Sequence, residues 1–466
     1  MISVTDLAIR VDGELLPSSP DAAPAPVVLG EGIVIEWGRE TVLDHTGATS
    51  LTFGMIRPAT SRMPLPRIGS VVTLHGVRTE THDELNRYTD SSPVLLFRGV
   101  IDGVVEHPRE RVRTPADLTG VTRHTITATD SVGVLQRMKI GAQPWPRETP
   151  AARYNRVRAL AAEHMEGPLT VTSDGMPGGE VIPLDVDNRS AWEVLDQTMQ
   201  VPHGYLVTNG TGRVTVRGIA EPNRRYLQRN QPQVLAQDGT WYPFGLLDAA
   251  GIEDIERAEA WDTGVSTVTV AQHFTTQKLA PAEDYAEAER SVTLGRRADP
   301  GQALQIDSHR VEYTRATTSQ ALGELNVSGA MYAPAMALAQ AILDATTDLP
   351  PSLPALRMNL SRYPHQSGSI IREVLACGVA RTLAEVYIVG LPYGIPAGHV
   401  LLGGRIELAV DTTDQWVELT LAPHQMIGTQ PLTFAGMQPY QDVTFARLDG
   451  VASNHIYNAA RVGPAA

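Results

Sequence analysis

Stretches that alternate apolar and polar residues dominate the first third of the chain. Ile33-Val-Ile-Glu-Trp-Gly-Arg39 and Ser50-Leu-Thr-Phe-Gly-Met-Ile56 carry β-formers bounded by glycine and an Asp-His-Thr-Gly turn. Arg67-Ile-Gly-Ser-Val-Val-Thr-Leu-His75 and Val94-Leu-Leu-Phe-Arg-Gly-Val-Ile-Asp-Gly-Val-Val105 continue the pattern, with the polar stretch Arg78 to Ser92 between them expected as a long hairpin loop. His124-Thr-Ile-Thr-Ala-Thr-Asp130 completes the set. Five or six strands with one buried face need their edges closed or covered, which predicts a small barrel or sandwich.

The period then changes. Ser131-Val-Gly-Val-Leu-Gln-Arg-Met138 predicts a short helical turn, and Pro144-Trp-Pro146 a rigid exit. Thr149-Pro150 is an N-cap followed by proline at the first helical position. The helix so begun places Tyr154, Val157, Leu160 and Ala161 on one face. Ser190-Ala-Trp-Glu193 is a capping box that opens a second helix, through Val194 and Leu195 to about Gln200. Asn209-Gly210 between two alternating runs, within Gly204 to Arg217, signals a hairpin.

Strand patterns resume at Thr263 to His273. A helix is expected over Ala333 to Thr346, then the break Leu349-Pro-Pro-Ser-Leu-Pro354, then strands at Ala355 to Arg362 and Glu385 to Leu391. Gly394 to Val410 and Gln415-Trp-Val-Glu-Leu-Thr-Leu421 close this half. Their order, a strand pair and then a final alternating strand, echoes Val94–Val105 followed by His124–Asp130, and suggests one β-module used twice. Residues 424–466 lack periodicity and read as an extended arm.

Composition sharpens this picture. At 466 residues the chain is too long for one core. Its 40 Gly and 33 Pro exceed the average usage of about 12% and suit many short strands joined by turns. The net charge of −14 comes from 38 basic and 52 acidic residues, and Lys139 and Lys278 are the only lysines. Such a balance opposes a nucleic-acid-binding surface, which wants a basic face. The single cysteine, Cys377, excludes an intrachain disulfide and a cysteine-based zinc site, and is expected as a small buried apolar residue. The start, Met1-Ile-Ser-Val-Thr-Asp-Leu-Ala-Ile-Arg10, lacks the basic and apolar regions of a signal peptide. The most apolar segment, Ala333 to Leu343, is shorter than the roughly 18 residues of a membrane helix, so a soluble protein is expected.

Catalytic patterns are missing. There is no G-x-S-x-G elbow, no H-E-x-x-H helix, no phosphate-binding G-x-x-x-x-G-K-[ST] loop and no G-x-G-x-x-G after a strand. The 13 histidines are scattered singly and are expected as surface or packed residues. Asp185-Val-Asp-Asn-Arg-Ser190 resembles the start of a calcium loop, with Asp196 at its twelfth position. However, Arg189 sits at a ligand position and Ser190 where glycine is required, so Ser190 reads better as a helix cap. Glu253 to Glu259 with Asp262 could supply paired carboxylates, but a single Ile255 among charges predicts a solvated turn or short helix. Asn188, Asn209, Asn326 and Asn359 match the glycosylation pattern only by accident in a chain without a secretory signal. No catalytic, cofactor-binding or metal-binding residue is assigned.

Taken in order, Ile35-Glu-Trp-Gly-Arg39, Arg67-Ile-Gly-Ser-Val-Val72, Phe97-Arg-Gly-Val-Ile-Asp102, Thr125-Ile-Thr-Ala-Thr-Asp130, Pro-Trp-Pro, Ser190-Ala-Trp-Glu-Val-Leu-Asp196 and the Tyr205 hairpin resemble the tail-tip hub proteins of long-tailed phages. These are called minor tail proteins in phages of actinobacteria, and they are related to the baseplate hub of contractile-tailed phages. The resemblance spans residues 30–425. It implies a mainly β chain with α+β insertions: two related, tail-tube-like β-barrel hub domains plus two smaller peripheral domains. The implied division is 1–135 for the first barrel, 136–240 for an α+β peripheral domain, 241–275 with 365–423 for a split second barrel, 276–364 for an inserted peripheral domain, and 424–466 for the arm.

The resemblance further implies a structural virion protein without enzymatic activity or cofactor, assembled in the host cytoplasm. Such a hub is a homotrimer whose six barrels close the tail tube in a pseudo-sixfold ring and convert its symmetry to threefold. Its neighbours are the distal tail protein ring, the tape measure protein C-terminus, and other minor tail proteins or a central fibre. Genomic DNA passes through the lumen without specific binding, which an acidic lining would favour. Two other readings stand beside it: another tail-tip component, either the distal tail ring or a host-adsorption protein, and a cell-wall-degrading enzyme on a β-scaffold. A hub is three copies and a distal tail ring six. An enzyme loses activity on host cell wall when one carboxylate is replaced.

Overall fold

The computed structural model describes residues 2–17, 27–28, 32–39, 47–58, 64–80, 93–107, 121–141, 145–146, 148–164, 170–172, 189–200, 204–208, 213–218, 234–235, 241–242, 246–248, 254–255, 267–276, 286–295, 308–317, 353–359, 385–389, 391, 398–408 and 415–423. The alternating runs of the first third become β1 (Ile2–Val11), β2 (Glu14–Leu15), β3 (Val27–Val28), β4 (Ile33–Gly38), β5 (Ser50–Pro58), β6 (Val71–Glu80), β7 (Pro93–His107) and β8 (Val121–Thr129). Then come α1 (Ser131–Arg137), α2 (Pro150–His164), β9 (Thr170–Thr172), α3 (Ala191–Gln200), β10 (Gly204–Thr208) and β11 (Arg213–Gly218). Short strands follow: β12 (Val234–Leu235), β13 (Trp241–Tyr242), β14 (Leu246–Asp248) and β15 (Asp254–Ile255). The remainder comprises β16 (Thr267–Thr276), β17 (Ala286–Gly295), β18 (Ser308–Thr317), β19 (Ala355–Asn359), β20 (Glu385–Val389), β21 (Gly398–Leu408) and β22 (Trp416–Pro423). The chain is mainly β.

Fourteen strands form one sheet, whose main path runs β15-β19-β22-β21-β4-β5-β8-β7-β6-β1-β2. Residues from both ends of the sequence therefore share one core: Ile33, Ile35, Phe53, Leu74, Phe97 and Ile126 are buried with Leu356, Met358, Ile406 and Leu419. Among the described residues the sheet is open, with β2 and β15 at the two ends of its path. The expected closure of each strand set into its own barrel is not seen in these pairings. Instead the first set hands its β4 edge to β21 of the second, so that edge is covered by continuation of the sheet.

The order β4-β5-β8-β7-β6 recurs as β15-β19-β22-β21-β20, with every neighbour antiparallel in both. The register repeats as well. In the β7–β8 pair Ile101 faces Ala128 and Gly103 faces Thr127, so Asp102 is bulged out. In the β21–β22 pair Leu401 faces Leu421 and Gly403 faces Thr420, so Leu402 takes the same place. A bulge adds one residue to one strand and sharpens its twist, so sharing it at one position gives both halves the same bend.

Two pairings depart from expectation. The run beginning at Thr263, placed in the second barrel, yields β16, which pairs with β17 and β18 in a separate three-stranded sheet. Conversely β19, placed in the inserted unit, joins the large sheet, where alternating burial puts Leu356 and Met358 into the common core. The Glu253–Glu259 cluster, expected as a turn or helix, contributes β15, because Ile255 lies opposite the buried Leu356. The N-terminal β1 pairs with β6, and Leu7, Ile9 and Val11 are buried. Cys377, the helix expected over 333–346, the 81–92 loop and the arm at 424–466 lie outside the described residues.

The middle of the chain builds a second core from Val132, Leu135, Trp145, Tyr154, Val157, Trp192, Leu195 and Leu206. Trp145 is buried in this core. Tyr154, Val157 and Ala161 are buried as the helical spacing predicts, and Leu160 packs against them. β10 and β11 form the expected antiparallel pair, while Asn209-Gly210 lies outside the described residues.

Candidate functional site

The structure brings the two halves together at one joint, where β21 lies against β4 from Gly403–Gly38 to Leu408–Ile33. Glycine is required here for close approach. A Cβ on Gly403 would lie 2.5 Å from the Gly38 Cα and 2.5 Å from the Trp37 carbonyl oxygen. A Cβ on Gly404 would meet the Trp37 ring carbons at 2.9 Å. Gly38 has φ +142°, a conformation closed to most side chains. The three glycines thus let two backbones and an indole ring occupy one layer.

Backbone hydrogen bonds close the glycine end of the joint. The Arg39 amide donates to the Leu402 carbonyl at 3.1 Å, and the Gly47 amide donates to the Gly38 carbonyl at 2.7 Å. Arg405 pairs across the strands with Glu36 at 3.1 Å and along its own strand with Glu407 at 2.7 Å. These are half-exposed pairs, worth at most about 1 kcal/mol, so they fix register more than they stabilise. The buried Arg39 reaches the Leu206 carbonyl at 3.5 Å and so ties the joint to the helical lobe.

That lobe is fastened directly behind β8. Asp130, fully buried, accepts from the Val132 and Gly133 amides at 3.0 and 3.3 Å and caps α1, while its own amide donates to the Thr49 carbonyl at 2.9 Å. The last residue of the Thr125–Asp130 run thus turns a strand into a helix against β5. Ser190 and Glu193 form the expected capping box: the Ser190 amide donates to Glu193 at 2.6 Å and the Glu193 amide donates to the Ser190 hydroxyl at 3.1 Å. Backbone and side-chain hydrogen bonds from Ser190 hold the Glu193 carboxyl below the usual carboxylate range. The helix-cap explanation of Ser190 therefore stands in place of a calcium loop, whose other positions, 185–188, lie outside the described residues.

Several other polar side chains are held within the packing. His399 is buried and accepts from the Leu353 amide at 3.2 Å. His124 is buried on β8 and bonds the Thr122 hydroxyl at 2.9 Å; desolvation pushes its pKa below the ordinary value, opposed by Glu106. Asn359 is buried at the end of β19. Arg153, buried, holds Glu148 at 3.1 Å and the Pro146 carbonyl at 3.0 Å; desolvation lowers its pKa, and the Glu148 bond opposes this. Of the carboxylate cluster only Asp254 and Ile255 are described, as strand. Among the described residues no group of three or more His, Cys, Asp or Glu is placed to hold a metal ion, and no helix is long and apolar enough to cross a membrane. The structural feature that sequence reasoning missed is the joint; its signal is the Gly403-Gly404 pair inside a strand pattern.

No protein-family profile matches the chain, and no curated protein sequence matches it. Solved structures do. The 43 kDa tail protein of prophage MuSo2 from Shewanella oneidensis is 9% identical, with 92% of this chain and 100% of that one covered and a TM-score of 0.49. A tail protein from Neisseria meningitidis is 12% identical, covering 91% of this chain and 97% of that one, with a TM-score of 0.48. An Escherichia coli type VI secretion component, described as structurally similar to the T4 phage tail proteins gp27 and gp5, is 9% identical over 92% of this chain and 79% of its own, with a TM-score of 0.38. All three scores are below 0.5, so strand order and register, rather than superposition, support the function proposed below.

Proposed function

We propose that this chain is the trimeric tail-tip hub of a long-tailed phage. In this role it closes the tail tube, converts sixfold to threefold symmetry and lines part of the DNA exit channel. The observation that carries the reading is the repeated strand order joined through β21 and β4. A chain that places two equivalent strand modules side by side occupies two neighbouring places of a ring, so three chains fill six. The resemblance of the ordered motifs from Ile35 to Tyr205 supports the same reading.

The proposed division keeps 1–135 and 136–240, with the second hub domain split around an inserted unit and 424–466 as an arm. The pairing of β16 with β18 and of β19 with β22 supports assigning β16 to the insert and β19 to the hub domain. The proposed role is structural, without catalysis. Its neighbours would be the distal tail ring, the tape measure C-terminus and other minor tail proteins or a central fibre, all in the virion. The net charge of −14 supports a channel that DNA crosses without sticking.

Light scattering on the purified full chain tests the reading. Three copies are expected; six would favour the distal tail ring, and a single copy would remove the hub.

A further inference from the structure

The outer face of the first strand set gathers positive charge that no described carboxylate answers. Burial alternates along β6, with Val72 and Leu74 in the core and Thr73 and His75 on the other face. Pairing places Arg10 of β1 and Arg98 of β7 on either side of Thr73, and Ala8 beside His75. Two strand spacings set the arginine backbones about 10 Å apart. Arg10 is exposed and donates to the Gly13 carbonyl at 3.3 Å, while Arg98 is half-buried. The His75 Nδ1 is shielded from solvent and has no hydrogen-bond partner, so no polar group beneath the face answers the ring either. Among the described residues the arginine ion pairs lie elsewhere, at Arg137, Arg153, Arg156 and Arg405. Burial lowers the Arg98 pKa; burial, then the Arg10 and Arg98 charges, lower that of His75, and no acid opposes either shift. Like charges on neighbouring strands are destabilising. Their gathering at one place, in a chain of net charge −14, calls for an anion from outside.

We propose that Arg10 and Arg98, with His75 beside them, form a binding site for a carboxylate on an acidic peptide segment of a neighbouring protein. Two guanidinium forks flank Thr73, and a planar carboxylate between them takes charge-assisted hydrogen bonds from both. The footprint is that of a small anion. The next outward pair on the same strands is Val71 and Val100, and across β8 and β5 the row continues through the uncharged Thr129 and Ser50. Nucleic acid is held instead by a stripe of cations that follows its phosphates, and the acidic balance of the chain repels it. A few cations set among valines and hydroxyl groups match a single carboxylate of a protein. The site does not depend on the ring reading.

Fluorescence anisotropy of a labelled hexaglutamate peptide, titrated at low salt with the full chain, tests it. The parent should bind hexaglutamate and not hexaglutamine. Arg98→Gln should weaken binding about tenfold, the loss expected when one charge-assisted contact is removed. Arg10→Gln, at an exposed position that leaves the core unaltered, should do the same. Arg137→Gln removes the same charge from α1, where Arg137 pairs with Asp102 at 2.8 Å, and should bind as the parent does. Equal affinity for the two peptides, parent-like binding by both Arg98→Gln and Arg10→Gln, or an equal loss in Arg137→Gln would overturn the proposal. So would a single-stranded DNA oligonucleotide that binds more tightly than hexaglutamate and depends on Arg98, an outcome that assigns the site to phosphate. The assay reads peptide binding and not copy number, so its failure leaves the hub reading untouched, and a monomeric parent leaves this site untouched.

Discussion

Replacing Gly403 by alanine perturbs the joint at its tightest point. The new methyl would lie 2.5 Å from the Gly38 Cα, 2.5 Å from the Trp37 oxygen and 3.2 Å from the Trp37 carbonyl carbon, all backbone atoms of β4. Comfortable carbon contacts need about 3.5–4.0 Å, so the strands must part by roughly 1 Å near this position. Overpacking of this kind costs about 1–3 kcal/mol. Losing one adjoining backbone hydrogen bond, such as that from Arg39 to Leu402 at 3.1 Å, adds about 0.5–1.5 kcal/mol. Together these give about 1.5–4.5 kcal/mol, which speeds local opening roughly 10- to 1,600-fold at about 1.4 kcal/mol per decade. Hydrogen exchange followed by mass spectrometry should show this acceleration in peptides covering Ile33–Gly38 and Gly403–Leu408, and much less in β5 and β8. Gly141→Ala is the control, because nothing lies within 4 Å of its added carbon. Parent-like exchange in both β4 and β21 of the Gly403→Ala variant would refute the reasoning.

Three further outcomes can be checked. Glu148→Gln leaves the buried Arg153 without its carboxylate and should cost about 3–5 kcal/mol in denaturant unfolding of the helical lobe, where a surface pair would cost under about 1 kcal/mol. Ser190→Ala removes one arm of the capping box and should lower stability by about 1 kcal/mol, read from the same transition. His124 has its pKa pushed below the ordinary value by burial, so the unfolded chain takes up a proton first; stability should be level above about pH 6.5 and fall as pH drops below it. His124→Gln should flatten that fall, and an unchanged pH profile would count against the burial argument.

What the sequence disclosed depended on how local each signal is. The α2 and α3 helices were legible because their caps at Thr149 and Ser190 act within three residues. The strands from β4 to β8 were legible because one face is buried, which imposes period two. β1 escaped because its register shifts between Thr5 and Ala8, and the shift breaks the alternation that leads to Leu7 and Ile9. β15 escaped because its single Ile255 gains meaning only opposite Leu356, about a hundred positions away. The repeat was visible as strand order, but its shared bulge at Asp102 and Leu402 emerges only from pairing. Barrel closure was expected because edges need covering; Trp37 and Gly404, far apart in sequence, cover one by joining the sheets instead.

End-on electron-microscopy class averages of the purified full chain test the central claim most directly. The account predicts a threefold particle with six similar lobes around an open centre. Isolated single chains, or a closed particle without a central opening, would contradict it.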